Sequence, residues 1–155
     1  MHPNTEAVRT ALQAAGAAGE IRELPGSART ATLAADLLGV SVGAVANSLI
    51  FDVGGSPLLI MTSGGHRVDT ARVARLLGVP ALDRADPEFV RRHTGQPIGG
   101  VAPLGHPAPI GTLVDIALSA YDVIWAAAGH PATVFPTDYA ELLRLTAGTP
   151  AEVGD

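Results

Sequence analysis

Hydrophobic and polar positions along this chain follow two rhythms, one helical and one extended. Val8, Ala11, Leu12 and Ala15 recur at helical spacing and predict a first helix ended by Gly16. Leu33, Leu37 and Leu38 define a second, with Thr30 or Thr32 as cap and Gly39 as stop. Asp69 opens a third carrying Val73, Leu76 and Leu77, closed by Gly78 and Pro80. Asp86-Pro87-Glu88 places a capping side chain, a first-turn proline and an acid at the positive end of a fourth, which ends near Gly95. Asp138-x-x-Glu141 has the form of a capping box before Leu142, Leu143 and Leu145, with Gly148 and Pro150 as stops. Apolar runs at 21–24, 46–53, 58–62, 112–114 and 123–128 read as strands. Gly54-Gly55-Ser56-Pro57 punctuates a hairpin between the second and third of them. Helices and strands mix without strict alternation. This predicts a mixed α+β fold, a mixed sheet or a barrel packed by helices, rather than a doubly wound one.

The chain has 155 residues, a length that suits one domain, expected to span 1–155. Hydrophobic residues make up 47%, and charged residues only 16%, so the composition supports a core rather than long disordered tails. The first ten residues are polar, without the apolar stretch of a leader, and Asp115 and Asp122 interrupt the longest apolar run. A soluble, cytoplasmic protein without membrane contact is expected. The absence of cysteine excludes disulfides and thiolate chemistry. All ten basic residues are arginine, which excludes a lysine base or Schiff base. The five histidines lack close metal-ligand spacing, so neither a metal nor a cofactor is expected. Net charge is −5, yet residues 66–92 hold six arginines against four acids, a local balance of +2. That segment is either an ordinary solvated surface or a basic face.

The candidate chemistry gathers around 98–105, a stretch too rich in glycine and proline for a regular element. Gly99-Gly100-Val101-Ala102-Pro103 is either a tight turn between strands or a loop whose backbone N–H groups approach a substrate oxygen. His130 is either a loop residue or a group lining a pocket; His66 and His106 read as loop residues. Thr30 and Asp69 read most simply as helix caps. Ser63-Gly64-Gly65 lacks the nucleophile-elbow pattern of a Ser-His-Asp hydrolase.

Taken in order, LGVxxGAVANSLIF (38–51), SGGHRVD (63–69), TGxxIGGVAPLG (94–105), IWAAAG (124–129) and LLRLT (142–146) resemble the YbaK/EbsC family. That family is related to the editing domain of bacterial prolyl-tRNA synthetases. The resemblance covers nearly the whole chain. It implies a mixed barrel-like core and hydrolysis of the ester between a small misattached amino acid and the 3′ end of tRNA, a translation-fidelity function. It implies that the loop of Gly99 and Gly100, with Val101 and Pro103, stabilises the ester carbonyl. It places Thr30, Ser48, Gly129 and His130 near the substrate. Many members carry lysine in a Val-Lys-Thr/Ser-Leu pattern; here the position is Asn47, which is expected to hold the terminal adenosine in its stead. Arg67, Arg72 and Arg75 are the candidate tRNA contacts. The rival readings are a non-catalytic aminoacyl- or nucleotide-binding module and a small-molecule esterase on the same fold.

Overall fold

The computed structural model describes residues 2–154. Its helices begin and end where local chemistry dictates. α1 (Pro3–Ala14) is capped by the His2 imidazole, which accepts from the Asn4 N–H. In α2 (Ala31–Leu38) the Thr30 hydroxyl accepts from Leu33 N–H. Asp69 does the same for α3 (Thr70–Leu77), Asp86 for α4 (Pro87–Thr94) and Asp138 for α5 (Tyr139–Thr146). Gly39, Gly78 and Gly95 end α2, α3 and α4 in the left-handed region. The capping box is only half formed. Glu141 does not reach back to its own helix start; it accepts from Thr137 Oγ1 and from Ala18 N–H, tying α5 to the segment after α1.

The leucine stripes that reveal α2 and α3 are not their buried faces. α2 buries Ala34 and Ala35 and leaves Leu33 47% exposed, and α3 buries Val73 and Ala74 with Leu76 58% exposed. Small side chains on the inner face let α2 lie close to β2.

β2 (Val45–Val53) and β3 (Ser56–Ser63) form the central hairpin through a two-residue Gly54-Gly55 turn with φ of 60° and 93°. Ser56 and Pro57 therefore belong to the strand, not the turn. The hydrogen-bonded ladder runs β1-β7-β6-β2-β3-β5-β8, with β4 also on β2. β1 is Arg22–Glu23, β4 Asp83–Arg84, β5 Gly111–Asp115, β6 Ile124–Ala127, β7 Thr133–Thr137 and β8 Thr149–Ala151. The β2–β6, β3–β5 and β5–β8 pairs are parallel and the others antiparallel, so the sheet is mixed. Leu59, Met61, Val114, Ile124, Phe135 and Leu142 are fully buried at its centre.

β4, β7 and β8 escaped the sequence reading, two of them because of proline. Ala128 N–H bonds to Thr133 C=O, so by alternation the nitrogen of Pro136, opposite Trp125, points away from β6. On its other side β1 pairs only with Thr133 and Val134, and no ladder bond is asked of Pro136. Pro150, expected to stop α5, lies in the edge strand β8.

One irregularity of the sheet positions everything that follows. On the side of β2 away from β3, pairing with β6 ends at Ala46 and pairing with β4 begins at Phe51. Among the described residues no strand lies beside 47–50 there. Gly64 N–H bonds to Val45 C=O. Alternation along the ladder then turns the backbone groups of Asn47 and Leu49 toward β3 and those of Ser48 into the gap.

Candidate functional site

The gap in β2 opens into a cleft of about 30 Å³. Asn47 and Ser48 contribute from β2, Thr30 and Ala34 from α2, and Gly99 and Val101 from the glycine-rich loop. Thus five of the residues singled out in the sequence meet at one cavity. Their roles differ. Thr30 caps α2 and lines the cleft at once. The Ser48 hydroxyl donates to Met61 Sδ at 3.2 Å, leaving the Ser48 main chain as the part that faces the gap. The Asn47 amide makes no hydrogen bond to any described residue, so both its donor and acceptor capacity remain open.

The loop is held by its own bonds and by close backbone contacts. Gly100 N–H donates to Pro97 C=O at 3.0 Å, and Ala102 N–H to the buried Gln96 Oε1 at 2.7 Å. Gly100 therefore has no free N–H to offer a substrate. The N–H groups of Gly99 and Val101 have no partner among the described residues, and both residues line the cleft. Gly99 adopts φ of 88°, and a Cβ on it would lie 3.1 Å from Arg29 O. A Cβ on Gly100 would lie 2.9 Å from the backbone of His130 and Pro131. The two glycines are what let the loop wedge between these segments.

Arg29 was not anticipated. Among the described residues it is the only charged one lining the cleft and has no ion-pair partner; it is exposed, and its Nε donates to Ser27 Oγ at 3.3 Å. Nothing in the sequence marked it, because its place depends on the approach of the glycine loop. Trp125 also lines the cleft, with the Arg22 guanidinium 4.8 Å from its ring centroid.

Other expected residues lie elsewhere. The His130 ring stands outside the cleft: its Nδ1 accepts from Ala132 N–H and it packs on His2 at 5.0 Å. Only its backbone reaches the glycine loop. Gly129 packs against α1, where a Cβ would meet Asn4 O at 2.9 Å. Pro103 is buried beside His106 in a separate hollow. Burial outweighs the hydrogen bond to Ala102 C=O and holds the His106 pKa below its usual value. Arg67, Arg72 and Arg75 are exposed on α3 and its approach, away from the cleft, and Arg72 Nη1 donates to Gly154 C=O at 3.3 Å.

A second polar cluster lies across β3. The buried Asp115 carboxylate accepts from Thr62 Oγ1, Ser63 N–H and Ala117 N–H. His66 Nδ1 approaches it at 3.1 Å but outside hydrogen-bonding geometry. Ser63 Oγ donates to Gly43 C=O at 2.7 Å, so Ser63, His66 and Asp115 do not form a nucleophilic relay. Burial, with the Asp115 charge second, raises the pKa of the nearby Tyr139 phenol. Among the described residues no three metal-ligating side chains converge, and no helix is long and apolar enough to cross a membrane.

Comparison with known proteins gives this geometry a family. A crystal structure described as a candidate trans-editing enzyme for prolyl tRNA synthetase superposes with a TM-score of 0.94 at 38% identity. It covers 100% of this chain and 99% of that one. The uncharacterized protein YwhH of Bacillus subtilis is 29% identical over 80% of this chain and 79% of its own length. The proline–tRNA ligase of Geobacter sulfurreducens is 30% identical over 73% of this chain, and the match spans 21% of that enzyme. For the proline–tRNA ligase of Nitratidesulfovibrio vulgaris, 32% identical over 57% of this chain, the share is 16%. The chain thus corresponds to about a fifth or less of the ligases it matches. The profile of the aminoacyl-tRNA editing domain matches residues 26–145, and the chain belongs to that family.

Proposed function

We propose that this protein is a deacylase acting in trans, in the cytoplasm and as one domain, on a small amino acid wrongly esterified to the 3′ end of a tRNA. The observation that carries the reading is the pair of N–H groups of Gly99 and Val101, unpartnered among the described residues, at a cleft whose only charge among those residues is Arg29. Attack of water on the ester carbonyl places negative charge on its oxygen, and two fixed donors in a small cleft stabilise it. The bond between carbonyl carbon and ribose oxygen then breaks, releasing the amino acid and a free ribose hydroxyl. Among the described residues no carboxylate or imidazole lines the cleft, so the vicinal ribose hydroxyl of the substrate assists the proton transfer. Arg29 supplies the positive charge that Asn47 lacks, and Asn47 holds the nucleoside by neutral hydrogen bonds. The volume of about 30 Å³ suits a side chain as small as that of alanine.

The test is single-turnover deacylation of Ala-, Ser-, Cys- and Pro-charged tRNAs by wild type and Arg29→Ala. Wild type should clear the smallest acyl group fastest. Arg29→Ala should lose about ten- to a hundredfold, the worth of a charge-assisted hydrogen bond. The absence of a base in the cleft also favours a second reading, a binding module without turnover. Tight binding of charged tRNA with no cleavage of any of the four would select it. Cleavage of simple amino acid esters at the same rate as charged tRNA would select a small-molecule esterase.

A further inference from the structure

Along the glycine-rich loop, open and bound N–H groups alternate. Those of Gly99 and Val101 have no partner among the described residues, while Gly100 N–H is tied to Pro97 C=O and Ala102 N–H to Gln96 Oε1. Gln96 is itself buried and fixed just beyond α4, its N–H donating to Thr94 Oγ1 at 3.0 Å. The next peptide, Ala102–Pro103, has no N–H, because proline supplies none. It can be held only by its carbonyl, and His106 holds it, with Nε2 2.8 Å from Ala102 C=O. A carbonyl only accepts, so Nε2 carries the proton. Burial keeps the His106 pKa below its usual value, so near neutral pH the ring is neutral and Nδ1 carries none. The chain turns back through Gly105, at φ of 84°, just before the ring. Pro103, Leu104, Ile110 and Leu145 line the hollow around it, and no charged residue does among those described. In such surroundings a hydrogen bond meets little competition from water.

We propose that His106 is a positioning residue for deacylation, which holds the Ala102–Pro103 peptide and so fixes the aim of the Val101 N–H at the ester oxygen. The inference rests on the deacylase reading, in which Gly99 and Val101 stabilise the charge on that oxygen. His106 does not line the cleft and acts through the main chain alone. Gln96 clamps the peptide before Ala102 and His106 the peptide after it, so both planes flanking Ala102 are fixed. Val101 is then caught between bound N–H groups at Gly100 and Ala102. Without His106 the downstream clamp is gone, and the loop can pivot about the Gln96 bond. Donors fixed before the charge develops need no reorganisation during the reaction, whereas a loose donor does.

The test compares His106→Gln, whose side-chain amide carries a donor to the place of Nε2, with His106→Leu, which fills the hollow and donates nothing. His106→Asn, whose amide stops short of Ala102 C=O, makes the same comparison should the leucine variant not fold. Single-turnover deacylation is measured over a range of enzyme concentrations on the charged tRNA that wild type clears fastest. His106→Leu should lower the maximal rate about tenfold, the scale of a slightly misaligned donor, with the half-saturating concentration unchanged. His106→Gln should stay within about twofold of wild type. Amide hydrogen exchange, a readout free of turnover, should quicken at Gly100 and Ala102 in the leucine variant and not in the glutamine variant. A folded leucine variant with the wild-type rate overturns the proposal. Equal losses in the leucine and glutamine variants overturn it too, because the donor would then not be what matters. A raised half-saturating concentration at unchanged maximal rate overturns it in favour of contact with bound substrate. No turnover of any charged tRNA by wild type removes the deacylase reading, and the exchange comparison then decides alone. Quickened exchange in the leucine variant only would keep His106 as the holder of the loop; unchanged exchange would remove that role as well.

Discussion

The two sides of the central hairpin treat polar groups in opposite ways. Beyond β3, Asp115 is buried and its carboxylate takes three donors from within the fold, while Ser63 Oγ is bound to Gly43 C=O. On the far side of β2, Asn47, the Ser48 main chain and the N–H groups of Gly99 and Val101 stand without partners among the described residues, beside a cavity. Both regions contain the residue types of hydrolytic chemistry, and the first even contains serine, histidine and aspartate. The difference lies in satisfaction. A polar group whose hydrogen bonds are filled internally stabilises the fold, and one left open in a cavity is available to a ligand.

Removing Asp115 should break the comparison on its stability side. Asp115→Ala leaves Thr62 Oγ1 and the N–H groups of Ser63 and Ala117 without their acceptor. At about 1–3 kcal/mol for each orphaned donor, the loss should reach at least ~3 kcal/mol, measured as a lower midpoint in urea unfolding. Deacylation per folded molecule should stay near wild type. A selective loss of rate with stability intact would move the Asp115 cluster into the active machinery.

The open side should respond in the reverse sense. Gly100→Val drives a side chain into the His130–Pro131 backbone and displaces the loop that carries Gly99 and Val101. Deacylation should fall about 100-fold, the scale of losing one oxyanion donor. The stability cost should be only about 1–3 kcal/mol, typical of a local steric insertion. An unchanged rate in a folded variant would show that the loop closes the fold and does nothing at the ester.

What was legible in the sequence follows the same division. Helix ends depend on residues three or four apart, and the caps Thr30, Asp69, Asp86 and Asp138 were readable as such, as were the terminal glycines Gly39, Gly78 and Gly95; α5 ends instead on Ala147 in the left-handed region, not on the expected Gly148. The glycine loop was also readable, and the family resemblance brought Asn47 to it. The reason for Gly100 was not, because its neighbour is thirty residues away at His130. The gap in β2 is a property of which strands pair, and no local pattern in residues 45–53 reports where β6 stops and β4 starts. The place of Arg29 depends on the approach of the glycine loop, and the assignment of the free N–H groups on that loop's own hydrogen bonds, so both were hidden as well. His130 illustrates the opposite error: its position just after Gly129 suggested the pocket, but Ala132 N–H and the His2 ring hold its imidazole elsewhere.

A third perturbation tests how far the positive side of the comparison extends. Arg72 and Arg75 lie nearly one helical turn apart on α3, outside the cleft, and both are exposed. Reversing both to glutamate should weaken tRNA binding about tenfold at low salt and flatten the salt dependence by about one to two units of slope. The rate for bound substrate should be little changed. Equal affinity and equal slope would place the tRNA surface elsewhere.

The smallest expected effect separates the two groups that share the cleft. Asn47 offers neutral hydrogen bonds, worth about 0.5–1.5 kcal/mol each, so Asn47→Ala should slow deacylation roughly two- to tenfold. Arg29→Ala removes a charge and should cost more. If Arg29 is the cation of this site, Asn47→Lys adds a second positive charge to a cleft that already has one. Repulsion between them should leave the single variant near or below the wild-type rate. In the Arg29→Ala background the same lysine restores the missing charge and should recover most of the lost activity. The sign of the lysine effect therefore depends on Arg29, which a double-mutant cycle on one mischarged tRNA reads directly. A lysine that accelerates both backgrounds equally would show that Arg29 does not act at the ester. A lysine that abolishes activity in both, with folding intact, would show that the cleft has been rebuilt around asparagine and has no room for a longer charged chain.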